Sequence, residues 1–298
     1  MVNKKRISAN KNKTKSPKRD INISGSISLM KKSLLSLWMN RKFWLVFLLI
    51  YFLVDLVFVR GISGNLNIGS LRNEFTSVFS GSGSKLNASL SVLLVLMGSN
   101  SSSTTGGSSA TGFFIFIFGS LAIIWSLDKL NHSNKITVKD ALYNGVSPVI
   151  PFLLVIFYIG VQLIPVTIGA LLYSTVKNNG IAVGGLEQSA WLIIFLLSGF
   201  WSLYMTSSSL FAPFYVTLQN QSPVKAIKAA SASLTGLRFK LMGRLLTMLL
   251  SLLLAIVVVM VVGILILGNI ASWLFFLISI VILPIIIGYL YQLYLEIK

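Results

Sequence analysis

Only 11% of the 298 residues are charged and 55% are apolar, whereas soluble domains carry about a quarter charged residues, so the composition excludes an ordinary soluble fold and calls for solvation by lipid. The chain holds no Cys and a single His, His132, which excludes disulfides, thiolate metal sites and Cys nucleophiles and removes most His-based metal chemistry. A net charge of +18 suits a nucleic-acid partner until the cations are located: they flank apolar segments without interleaved aromatics, so no specific nucleic-acid role follows.

Residues 1–42 hold twelve Lys/Arg and one acid, Asp20, spaced by Ser, Asn and Pro17. Such a segment buries too little apolar surface to fold alone; it reads as a basic cytoplasmic tail ending in a pre-membrane amphipathic helix. The basic stretch is too long for a signal n-region and no A-x-A site follows the apolar run, so the first span is expected to stay as an anchor. Runs of about 20 apolar residues are what a helix needs to cross the hydrocarbon. The expected spans are Phe43–Val59, Thr111–Leu127, Val149–Tyr173, Ala190–Phe214, Leu241–Leu267 and Ile270–Tyr294. The predicted fold is therefore all-α, a polytopic transmembrane helix bundle of about six spans with short cytoplasmic interfacial helices.

Between the first two spans, residues 60–110 form an external Ser/Gly-rich loop, nearly pure Ser/Thr/Gly from Ser99 to Ser109. Within it Leu86–Met97 is apolar but short, and reads as re-entrant or interfacial. Charge tests the alternative. Six spans assign 21 Lys/Arg to cytoplasmic segments and four to external ones, whereas a seventh span divides them 13 to 12. The positive-inside bias selects six spans, both termini cytoplasmic, in a cytoplasmic (plasma) membrane. Trp38, Trp44, Trp125, Trp191 and Trp273 fall near span ends, as in an aromatic belt.

Three cytoplasmic segments that precede spans begin alike, with a hydroxyl residue, an apolar residue and Lys, at Ser28, Thr137 and Ser222. Thr137 and Asp140 have capping-box spacing. Ser222 suits an N-cap and Pro223 the first helical position. Val224, Ile227, Ala230, Leu234, Leu237 and Leu241 then recur at helical spacing, so this helix is expected in the headgroup plane. Lys31, Lys32, Arg41, Lys42, Lys225, Lys228, Arg238 and Lys240 are the expected contacts to anionic lipid.

Residues 210–250 run from Leu210-Phe-Ala-Pro-Phe through Ser222-Pro-Val-Lys-Ala-Ile-Lys-Ala-Ala-Ser to Thr235-Gly-Leu-Arg-Phe and the following span. This stretch resembles a segment shared by uncharacterised six-helix bacterial membrane proteins, including those grouped with the membrane domain that precedes glycerophosphoryl diester phosphodiesterases. Ser222-Pro223, Ala226, Ser231 and Gly236 carry the resemblance. It implies a six-helix membrane domain of the bacterial cytoplasmic membrane. It carries no enzymatic activity over, because the soluble barrel with its His and acidic ligands has no counterpart here.

Asp55 is the one carboxylate inside an expected span, a functional candidate by the cost of burying its charge. Near the outer end and close to Arg60, it also reads as a residue that reaches headgroups. In the fourth span Ser198, Ser202, Thr206, Ser209 and Pro213 share one face; in the third, Tyr158, Gln162, Pro165, Gly169 and Tyr173 do. Together these form a candidate polar path, with Pro165 freeing a backbone carbonyl. The same pattern serves helix packing, the reading that Gly263 and Gly268 also take. No Ser-His dyad, acid cluster or P-loop is present, so neither catalysis, metal nor cofactor is expected. His132 beside Asp128 reads as a loop residue. The expectation is a non-enzymatic envelope protein with a structural or interaction role, its partners being anionic headgroups and a membrane protein or a second copy; the alternative is a transporter or channel component.

Overall fold

The computed structural model describes residues 24–60, 106–132, 136–178, 180, 184–267 and 271–297. The tail before residue 24, the apolar segment Leu86–Met97 and Gly268 lie outside the described residues. Regular structure among the described residues is helical throughout: α1 Ser26–Met39, α2 Arg41–Asp55 with a π-helical turn Leu56–Arg60, α3 Gly106–Asn131, α4 Val138–Gly145, α5 Val149–Gln162, α6 Ile164–Asn178, α7 Gly185–Ser209, α8 Ala212–Gln219, α9 Pro223–Ser233, α10 Arg238–Leu267 and α11 Ala271–Ile297.

Four stretches have the length and apolarity to cross a membrane: Thr111–Asn131, Gly185–Gln219, Arg238–Val259 and Leu277–Ile297. A fifth is added if α4 and α5, bent by 73°, count as one broken span. This is the helical framework of a multi-pass membrane protein. It differs from the expected six in two places. The first expected span falls on α2, whose 15 residues are short of the hydrocarbon thickness. The third is interrupted at Leu163, because Pro165 has no N–H to continue the ladder. The Leu163 N–H turns back to the Gly160 carbonyl at 3.0 Å, and the Thr167 N–H restarts the helix on the Leu163 carbonyl at 3.2 Å. At the second break, Pro148 disfavours helical geometry in the residue before it, and Phe152 reopens the ladder on the Pro148 carbonyl at 3.0 Å. Helix α3 starts at Gly106, inside the stretch expected to be loop.

The connecting helices follow their local chemistry. Thr137 and Asp140 close a capping box, with the Thr137 hydroxyl accepting from the Asp140 N–H and the Asp140 carboxylate accepting from the Thr137 N–H. Ser222 takes the extended N-cap conformation and Pro223 the first helical position, but the Ser222 hydroxyl makes no capping bond. After α9 the chain turns through Gly236 at φ +85°, a left-handed conformation that a Cβ would disfavour.

A large part of the buried core lies where α1, α3, α8, α9 and α11 converge. Leu29, Leu234, Leu241 and Leu293 are fully buried there beside Phe211, Phe214, Tyr289, Tyr291 and Tyr294. Phe214 stacks on Tyr294 at 5.4 Å, and Tyr215 meets the same ring edge-on at 5.5 Å. Trp44, read from sequence as belt, is also buried in the core. Helix α7, in contrast, presents Ile193, Leu197, Phe200 and Trp201 outward, a surface that only lipid or another protein can cover at low cost.

Helix α1 docks on α11 where Gly288 faces Ser33; a Cβ on Gly288 would come within 2.5 Å of the Ser33 hydroxyl. Replacing Gly288 with Val is expected to push α1 off α11 and to cost about 1–3 kcal/mol, the usual range for overpacking. Limited proteolysis of α1 and thermal unfolding in detergent check this. An α1 as protected as in the wild type would contradict the packing.

Candidate functional site

The two polar stripes meet at the break between α5 and α6. A helix leaves its last carbonyls without intrahelical donors, and Gln162 is the last residue of α5. The Ser202 hydroxyl of α7 donates to the Gln162 backbone carbonyl at 2.6 Å. The Ser209 hydroxyl, two turns on, donates to the Gln162 side-chain oxygen. One residue at a helix break is thus held by two hydroxyls from a single face of α7.

Above this point α6 and α7 run against each other as a hairpin. Gly169 lies directly on Ser198, leaving no space for a Cβ, while Ser198 returns its own hydroxyl proton to the Phe195 carbonyl at 2.8 Å. Tyr173 stacks on Phe195 at 6.0 Å. Pro165 occupies the first turn of α6, where its missing N–H costs little. Thr206 lies on the same face of α7, and its buried hydroxyl has no hydrogen-bond partner. Tyr158, one turn before Gln162, is 41% exposed on the surface of α5.

Asp55 is placed differently. It closes α2, half-buried and one turn after Tyr51. Helix α2 packs mainly on α1, α3, α4 and α11, not on the α5–α7 seam. The structure therefore brings Gln162, Ser198, Ser202, Thr206 and Ser209 together, with Gly169 and Pro165 beside them, and sets Asp55 in another group of helices.

The eight candidate lipid-contacting cations sit on α1, the start of α2, α9 and the start of α10, the elements around the aromatic-rich end. Lys32 pairs with Glu296 at 3.1 Å, and Glu296 also accepts from the Ser24 N–H at 2.9 Å. Arg41 lies 5.9 Å over Trp38. Arg238 reaches Ser231 at 3.1 Å and lies 5.8 Å over the Tyr204 ring. Lys31, Lys42, Lys225, Lys228 and Lys240 are exposed. The face of α9 differs from the expected stripe: Ala226, Ala230 and Leu234 are buried against protein, whereas Val224 is 62% exposed.

A polar cluster at the same end escaped the sequence reading. Tyr291 donates to Asp128 at 3.2 Å, Gln219 donates to the Tyr294 oxygen at 2.9 Å, and Tyr289 donates to the Arg244 carbonyl at 3.2 Å. The spacing of Tyr289, Tyr291 and Tyr294 before Glu296, in an otherwise apolar helix, was the available signal. The His132 ring nitrogen lies 2.7 Å from the Asp128 carbonyl oxygen. No group of three or more metal-ligating side chains occurs among the described residues. Comparison with family models, with curated protein sequences and with solved structures gives no match.

Interhelical hydrogen bonds in lipid contribute about 0.6 kcal/mol on average. A double-mutant cycle of Gln162→Leu and Ser209→Ala, measured by unfolding in bicelles, is expected to return a coupling of about that size. Additive losses would show that the two side chains do not interact.

Proposed function

We propose that this chain is a non-catalytic integral protein of a bacterial cytoplasmic membrane, six-spanning with both termini cytoplasmic, whose role is structural or to bind other envelope components. The observation that carries the reading is the seam. Its Ser202 and Ser209 hydroxyls both donate to Gln162, so these polar groups act as mutual fasteners. A solute path needs such groups turned toward a cavity, and Asp55, the candidate coupling acid, belongs to other helices.

Six spans follow when the bent pair α4–α5 counts as one broken span and α2 with its π turn, Arg41 to Arg60, as a short one. Orientation is supported by the 21 to four division of Lys/Arg. The basic tail and the exposed cations of α1, α2, α9 and α10 suit anionic headgroups, each worth on the order of 1 kcal/mol. The apolar flank of α7 suits a second membrane protein or a second copy of this chain.

A second reading, a transporter or channel component, draws on the unpartnered Thr206 hydroxyl in the seam. Sealed proteoliposomes separate the two. The proposal expects no flux for a panel of ions, small metabolites and lipids, and no difference between wild type and Asp55→Asn. Solute-specific flux that Asp55→Asn abolishes would replace it with transport.

A further inference from the structure

Helix α1 enters the bundle through a polar clamp. Glu296, the penultimate residue of α11, accepts from the Ser24 N–H at 2.9 Å and from the Lys32 ammonium at 3.1 Å. One carboxylate thus holds both the chain that leads into α1 and the second turn of the helix. The Ser26 hydroxyl lies 2.5 Å from the Thr247 hydroxyl of α10 and 3.3 Å from the Tyr289 hydroxyl of α11. The Arg244 guanidinium of α10 lies beside Gly25. Glu296 is the one anion among these groups, and bonds to an ionised acceptor are about twice as strong as the neutral bonds at Ser26.

The two faces of α1 do not favour firm docking without that clamp. The inner face buries Leu29, with Met30 and Leu37 partly buried, but it also buries Ser33, whose hydroxyl has no hydrogen-bond partner against Gly288. A buried unpaired hydroxyl opposes docking. The outer face carries Ile27, Leu34, Leu35 and Trp38 around Lys31, with Ile27 86% and Trp38 69% exposed. A basic helix with such a face is suited to the membrane interface.

We propose that α1 is a releasable strap, clamped to α10 and α11 through the Glu296 carboxylate and free, once that charge is lost, to lie in the membrane interface apart from the bundle. Release bares the Gly288 face of α11 and moves the base of the basic tail away from it. The inference uses the membrane setting of the fold and neither functional reading.

The chain has no Cys, so a Leu29→Cys reporter at a fully buried position of α1 reads release as its rate of labelling by a water-soluble maleimide, with the full chain in nanodiscs. Adding Glu296→Gln is expected to raise that rate about tenfold, the factor that losing one charge-assisted hydrogen bond implies. An Ala226→Cys reporter, fully buried in α9 against α5, α7 and α8, separates release from general loosening. Its rate should be the same with and without Glu296→Gln. An unchanged rate at Leu29→Cys overturns the proposal, and so does an equal rise at both reporters. Should Leu29→Cys not fold, Met30→Cys on the same face takes its place with the same two outcomes.

Discussion

In hydrocarbon an unpaired backbone or hydroxyl group costs several kcal/mol, because no water stands ready to replace a lost partner. Every irregularity in this bundle has to be reconciled with that cost. The break at Leu163 exposes carbonyls at the end of α5, and the Ser202 hydroxyl of α7 takes one of them. Other hydroxyls return to their own helix, as Ser126 does to the Ala122 carbonyl at 2.6 Å and Thr217 to the Pro213 carbonyl at 2.9 Å. The placement of α6 and α7 follows from the first repair: once Gln162 is fastened to α7, Gly169 and Ser198 allow the two helices to close on each other.

The opposite architecture prevails at the aromatic end. There the helices too short to cross a membrane, α1, α4, α8 and α9, pack against long ones, and the long helices supply most of the buried large side chains, Tyr289, Tyr291 and Leu293 of α11 and Leu121 and Ile123 of α3 among them. Packing, aided by the Tyr291–Asp128 and Tyr294–Gln219 bonds, holds this end. The outer flanks of α7 and α10 bury little against the protein, so their energetics belong to the bilayer or to whatever protein covers them. A densely packed end that carries exposed cations is thus joined to an open apolar flank.

The legible and illegible features separate by the range of the interactions behind them. Long apolar runs located α3, α7, α10 and α11, and Thr137 with Asp140 announced a capping box, since both signals are local. The facing stripes of α5 and α7 were legible from a spacing of three and four. Pro165 was legible as a disturbance but not as a break, because membrane helices often continue through proline when a neighbour repairs the backbone, as α11 does at Pro284. Which face of α9 is buried depends on α5, α7 and α8, so its apolar stripe pointed to lipid where Ala230 and Leu234 in fact meet protein. The Asp128–Tyr291 bond joins residues 163 apart and leaves no trace in periodicity.

The claim on which this account turns is that the α5–α7 seam is a closed contact. The chain has no Cys, so single Cys replacements at Ser198, Ser202, Thr206 and Ser209 can be probed in sealed membrane vesicles with a water-soluble thiol reagent. The account predicts that all four resist labelling until the membrane protein is denatured. Labelling that runs along the stripe in intact vesicles would contradict it and establish a water-filled path.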